Sequence, residues 1–152
     1  MRYITLLIFV LALAFPTYAQ RKVPLKNFRR TTISIKGNKL RVWVAEGNEK
    51  LEDGFMFIKP NQFKPDEGMI FIMPNEEYQV FWMKNTPSPL DIAYLRPNGT
   101  IINILTMKPF DESQYPSDAP AKYAVETHAG YFAKKHIRAG DKFDLKNLKL
   151  KK

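Results

Sequence analysis

The sequence predicts a mainly β protein, a compact sandwich- or barrel-like single domain with one or two short helices. Two observations carry that expectation. Apolar and strand-forming residues come in runs of about strand length, and Gly, Asn and Pro signals separate them. A helical pattern appears only in two short stretches, near residues 48–56 and 129–136.

Residues 1–19 read as an export signal rather than as part of the fold. Arg2 supplies a positive start, Ile4 to Phe15 is almost wholly apolar, and Thr17-Tyr18-Ala19 carries the small residues that favour cleavage. That run is shorter than the roughly 20 residues of a membrane-spanning helix. Cleavage is expected to leave a product with no transmembrane segment, exported to the periplasm or the extracellular space. A retained anchor is the alternative.

Residues 20–30 form a basic arm and residues 31–146 the domain, followed by a basic tail at 147–152. Thr31 to Ile35 alternates apolar and polar, Gly37-Asn38 signals a turn, and Leu40 to Val44 continues as the second arm of a hairpin. GNEKLEDGFMF is expected to form a short helix capped at Asn48, with Leu51, Phe55 and Met56 on one side. Residues 61–68 are polar loop. Met69 to Met73 is a wholly apolar run, expected as a strand covered on both faces.

Tyr78 to Met83 and Leu90 to Leu95 read as strands flanking the loop Lys84-Asn85-Thr86-Pro87-Ser88-Pro89. Pro97-Asn98-Gly99 turns the chain into a partner strand from Thr100 to Met107. Residues 108–122 hold three prolines and no period, which is the character of a lid or binding loop. Tyr123 to Thr127 is a further strand, Ala129 to His136 a short helix, and Lys142 to Leu145 a last strand.

Composition limits the chemistry. The chain has no cysteine, which excludes disulfide staples, a thiol nucleophile and thiolate metal sites. The formal charge is +9, much of it in RKVPLKNFRR and KNLKLKK near the two ends. These ends read as solvated, partly disordered tails, with weak attraction to anionic envelope polymer or lipid as the functional alternative. Export and the lack of a recognition motif argue against nucleic acid as a partner.

The candidate site lies around FWMKNTPSPLDIAYL. Lys84 and Asp91 are expected to meet across the loop mouth if the flanking strands are neighbours, with Asp91 holding the loop's shape. Glu126 and His128 share a face of the later strand, an arrangement open to acid–base work or to metal ligation. With only two histidines and no third ligand at a recognisable spacing, no metal or cofactor is expected. Neither a nucleophile elbow nor a phosphate-binding loop is present. The candidate ligand-binding residues are Trp82, Lys84, Asn85, Thr86, Asp91, Tyr115, Glu126 and His128, an aromatic and polar set of the kind that lines small-ligand pockets.

FWMKNTPSPLDIAYL also resembles the central signature of the domain of unknown function family 192, or uncharacterised protein family 0127. LEDGFMF resembles the family's early segment, EGMIFIMP its Gly-Met-hydrophobic-Phe strand, and residues 115–143 its closing segment with a Glu before a Gly and a Gly-Asp turn. Phe55 stands where the family usually has Leu, and Glu52 and Asp53 where basic or mixed residues are common. The resemblance implies a small β-rich, sandwich-like domain, often exported or membrane-associated, and no established activity. The leading expectation is a non-catalytic binding module for a small ligand, saccharide or peptide. The alternatives are a hydrolase, possibly glycan-directed, using Asp91 and Glu126 as an acid–base pair, and a structural part of an envelope assembly.

Overall fold

In a computed structural model, residues 21–149 are described. The expected signal segment and the last three residues of the basic tail lie outside them. The fold is mainly β, a sandwich-like domain whose main sheet is not closed into a barrel. Six strands form that sheet: β1 (Arg29–Ile35), β2 (Asn38–Ala45), β3 (Glu67–Glu77), β5 (Leu90–Leu95), β6 (Ile101–Met107) and β8 (Ala121–His128). Their order is β1-β2-β3-β8-β5-β6, and a separate ribbon pairs β4 (Val80–Phe81) with β7 (Tyr115–Pro116). The helices are α1 (Asn48–Asp53) and α2 (Tyr131–Lys134).

The β1–β2 hairpin turns through Lys36 and Gly37, both with positive φ (47° and 76°), which matches the right-handed twist of the paired strands. β2 and β3 are parallel, so the chain between them must cross over, and α1 lies within that crossover. All other pairings in the main sheet are antiparallel. β3 and β8 are the central pair, and the apolar run of β3 is buried on both faces, as Met69 to Met73 predicts. The strand continues past Pro74 to Glu77 because a register irregularity between Ile72 and Glu77 accommodates the proline.

Strand alternation sorts the core into two layers. Leu40, Val42, Ile70, Val125, Ala93 and Leu95 face one side, where α2 and the C-terminal segment cover them with Phe132, Ile137 and Phe143. Trp43, Met69, Phe71, Ala124, Ile92 and Tyr94 face the other, under Phe28, Phe55, Ile58, Phe63 and Met83. The second layer carries the candidate site.

Three expected elements differ. The Tyr78–Met83 strand is reduced to Val80–Phe81, because the chain leaves extended geometry soon afterwards, at the left-handed Asn85 (φ 55°). The expected last strand is only two isolated bridges, Ser34 with Asp144 and Thr100 with Lys142. The basic arm is not a solvated tail within the described residues. Arg29 and Arg30 lie in β1, Phe28 is buried, and Arg21 bonds to distant backbone.

Gly68 marks the tightest approach within the sheet. A Cβ at this position would overlap the carbonyl oxygen of Glu126 on β8 and press on the Thr127 side chain. Gly68→Ala is therefore expected to cost about 1–3 kcal/mol by forcing the central strands apart. Urea unfolding of the two proteins measures this; an unchanged midpoint would mean that β3 and β8 are not packed this closely.

Candidate functional site

Glu126 is the residue around which the site is built. It lies in the second half of β8, opposite Met69 of β3 on one side and Ile92 of β5 on the other. Its side chain enters the aromatic layer and is only 4% exposed. Oε2 is buried with no hydrogen-bond partner among the described residues. Burial pushes the carboxyl up to about 8, so the proton stays on at neutral pH.

A cleft of about 280 Å³ opens over this carboxyl. The turn after α1 forms one wall, with Asp53, Gly54, Phe55 and Met56. Gly54 has φ 42° and ψ −126°, a conformation that an L side chain rarely adopts. A Cβ there would lie 3.3 Å from the Phe71 ring and 3.9 Å from Oε2 of Glu126, so the turn rests almost directly on the acid.

The N-terminal arm fixes that turn. Nη1 of Arg21 donates to the carbonyl oxygens of Gly54 and Met56, both at 2.8 Å. The Asp53 carboxylate accepts from the backbone N–H groups of Lys22 (3.2 Å) and Val23 (2.6 Å). Residues 21–23 thus act as a strap across the end of α1.

The opposite wall is Gln79, Val80, Phe81, Trp82 and Thr86. Phe81 meets Phe71 edge to face at 4.9 Å between ring centroids. Trp82 stands 47% exposed. Nε2 of Gln79 is a second buried polar atom without a partner among the described residues.

The loop 84–89 is held from two sides. The Asn85 carbonyl accepts from the Phe57 N–H (2.7 Å), and the Ser88 hydroxyl donates to the Ile58 carbonyl (2.6 Å). The Thr86 carbonyl accepts from the Phe110 N–H (3.0 Å), and the Met83 N–H donates to the Asp111 carbonyl (2.7 Å). The loop therefore joins the turn after α1 to the 108–122 segment. Residues 108–122 are docked rather than free: the Tyr115 hydroxyl donates to Asp111 (2.6 Å), and the Ser117 N–H donates to the Gln79 carbonyl (2.8 Å).

Trp82, Thr86 and Glu126 come together at the cleft, and the other five candidates do not line it. Lys84 does not meet Asp91, because β4 pairs with β7 while β5 lies between β8 and β6. Lys84 instead places Nζ 5.2 Å from the centre of the Trp82 ring. Asp91 faces the layer opposite Glu126, as expected of its place beside Thr127 in the β5–β8 register. It accepts from Thr106 Oγ1 (2.7 Å) and the Gly130 N–H (2.9 Å) and does not hold the 84–89 loop. Asn85 works through its backbone, and Tyr115 through its hydroxyl and β7.

His128 stacks on Phe63 at 3.7 Å, with Nε2 donating to that residue's carbonyl oxygen at 3.2 Å. Among the described residues, no three or more His, Asp or Glu side chains gather as a metal-binding group. Gly54, Phe71 and Gln79 are wall residues that sequence reasoning missed. The segment LEDGFMF was the available signal for the first of them.

A small mixed-sheet domain with one aromatic cleft over a buried acid is the class of protein that this geometry defines. The chain belongs to the DUF192 family, described as Uncharacterized ACR, whose model matches residues 31–145. It is similar to a solved protein of unknown function from Novosphingobium aromaticivorans DSM 12444, with 28% identity and a TM-score of 0.75, covering 80% of this chain and 89% of that one. It is also similar to a candidate transcription regulator from Sinorhizobium meliloti 1021, with 28% identity and a TM-score of 0.73, covering 77% and 94%. No curated protein matches the chain.

An unfolded glutamate releases its proton near 4.5, whereas Glu126 in the fold keeps it to about 8. The native state then holds more protons across that window, so Glu126 makes stability fall as pH rises from 4.5 to 8 and level off above. Glu126→Gln is expected to remove that fall, so its melting temperature should exceed the wild type's at pH 9 and approach it at pH 5. Parallel slopes in the two proteins would contradict this. Arg21→Ala is expected to lower stability by about 1–3 kcal/mol through its charge-assisted bonds, and hydrogen exchange should show faster exchange at the Lys22 and Val23 amides.

Proposed function

We propose that the protein is an exported, non-catalytic binding module that receives a small ligand in the cleft over Glu126. One observation carries this reading: a buried carboxyl oxygen without a partner among the described residues lies beneath a cleft walled by Phe55, Phe71, Phe81 and Trp82. A buried polar group left unpaired is costly, and pockets that combine apolar walls with few polar anchors are the usual form of small-ligand sites. The volume suits one compact molecule or a single residue of a longer one, such as a sugar or an amino-acid side chain. The apolar run at residues 4–15 supports export to the periplasm or beyond.

An acid–base hydrolase built on Asp91 and Glu126 is disfavoured, since these acids face opposite sides of the sheet. The regulator description of the Sinorhizobium relative finds no support in a DNA-reading helix here. Among the described residues the α-helices have six and four residues.

A thermal-shift panel of monosaccharides, dipeptides and small amines tests the proposal. At a hundredfold excess over Kd a ligand stabilises by about 2.7 kcal/mol, enough to move the melting temperature by several degrees. At least one class should do so in the wild type and lose most of the effect in Trp82→Ala. If no class shifts the wild type, or if Trp82→Ala responds equally, the cleft is not a ligand site.

A further inference from the structure

We propose that the cleft over Glu126 selects an organic ammonium ion, a positively charged nitrogen sheathed in alkyl groups, with the Glu126 carboxylate as its counter-ion. The inference rests on the binding-module reading above and names its ligand class.

The lining of the cleft runs against the composition of the chain. The protein has 24 Lys and Arg against 15 Asp and Glu, yet among the described residues the cleft is lined by Glu52, Asp53 and Glu126 and by no basic side chain. Glu52 is already paired with Lys22 at its exposed end, and Asp53 is occupied by the backbone of the strap. Glu126 is the acid with an unpartnered oxygen, and it is buried.

The walls favour the same charge. Phe71 and Phe81 pack edge to face at 89° and both line the cleft, together with the half-exposed Trp82. Aromatic faces attract cations, most strongly where the cation is poorly hydrated, as an alkylated ammonium is. Trp82 already attracts one, the Lys84 ammonium. An anionic ligand would meet three carboxyl groups and no cation within the lining. A neutral ligand could bond to the protonated Glu126 but would leave the acidic bias of the walls unexplained.

Binding must then be coupled to a proton. The unliganded carboxyl keeps its proton up to about pH 8, so an entering cation displaces it. The groups facing Glu126 are few. Among the described residues, Glu52 and Asp53 of α1 share the cleft lining with Glu126 without shifting it, the Tyr94 phenol of β5 interacts with it, and β3 presents the apolar Met69 and Phe71. Tyr94 is buried, donates to the Tyr115 carbonyl and is pushed upward by burial and by Glu126, so it does not titrate in this range. Arg21 bonds to the Gly54 and Met56 carbonyls without lining the cleft, and it keeps its charge throughout.

Isothermal titration with choline and its neutral isostere 3,3-dimethylbutan-1-ol tests this, at pH 6 to 9 in two buffers of different ionisation enthalpy. Choline is permanently charged, so any proton released comes from the protein. The expected result is choline affinity that rises about tenfold from pH 6 to 7, about fivefold from pH 7 to 8, and levels by pH 9. About one proton should be released per choline at pH 6–7 and none at pH 9. Choline should bind Glu126→Gln at least tenfold more weakly than it binds the wild type at pH 8. The proton count needs no variant, so it stands if Glu126→Gln fails to fold. If the alcohol binds and choline does not, or if choline binds without proton release, the ammonium proposal falls while the cleft remains a ligand site. If neither binds and the wider panel is also silent, both readings fall.

Discussion

Everything at the site depends on one constraint: a carboxyl group stands on the apolar face of the sheet, on β8, between β3 and β5. The flanks of Glu126 are Met69 and Ile92, and the turn at Gly54 lies over it. A charged carboxylate in such surroundings is strongly penalised, and among the described residues neither an arginine nor a backbone N–H bonds to Oε2. The acid therefore holds its proton, and the fold carries a polar group that a hydrophobic residue would replace without that penalty. The proposed ligand would supply the partner that Oε2 lacks among the described residues.

The elements around the acid keep it in place. The Arg21 strap fixes the Gly54–Met56 turn, and the 84–89 loop ties Phe57 and Ile58 to the segment that begins near Lys108. The cleft walls are thus backbone-anchored on both sides. Part of the chain's positive charge has a structural use in this arrangement. Arg30 is bonded to the buried Glu67 at 2.6 Å and packs over Trp43, and Arg21 satisfies two carbonyls at a turn. Burial opposes ionisation of Glu67, but the Arg30 bond, the Lys64 N–H and the nearby arginines outweigh it and hold its carboxyl below the usual range.

Much of the fold was legible because its strands obey local rules. Thr31 to Val44 alternates around a glycine turn, and Leu90 to Leu95 and Tyr123 to Thr127 lie between clear breakers; all three are strands in the structure. The paired acids were legible only as residues. Alternation places Asp91 and Glu126 on definite faces of their own strands, but which faces coincide depends on the β5–β8 register, and that is set by pairing at long range. The same limit hid the partner of Tyr78 to Met83. Two neighbouring segments in sequence suggest a hairpin, while the chain instead pairs Val80–Phe81 with Tyr115–Pro116. The strap was missed because a run of basic residues ordinarily signals solvated chain, and nothing local reveals that two backbone carbonyls await Arg21.

Carbon-detected NMR titration of the Glu126 side-chain carboxyl tests the central claim most directly. Burial beneath the cleft predicts a midpoint near 8 for this group. A midpoint near the ordinary glutamate value of 4.5 would show that the carboxylate is solvated or paired, and the account of a buried, unpartnered acid beneath an aromatic cleft would be wrong.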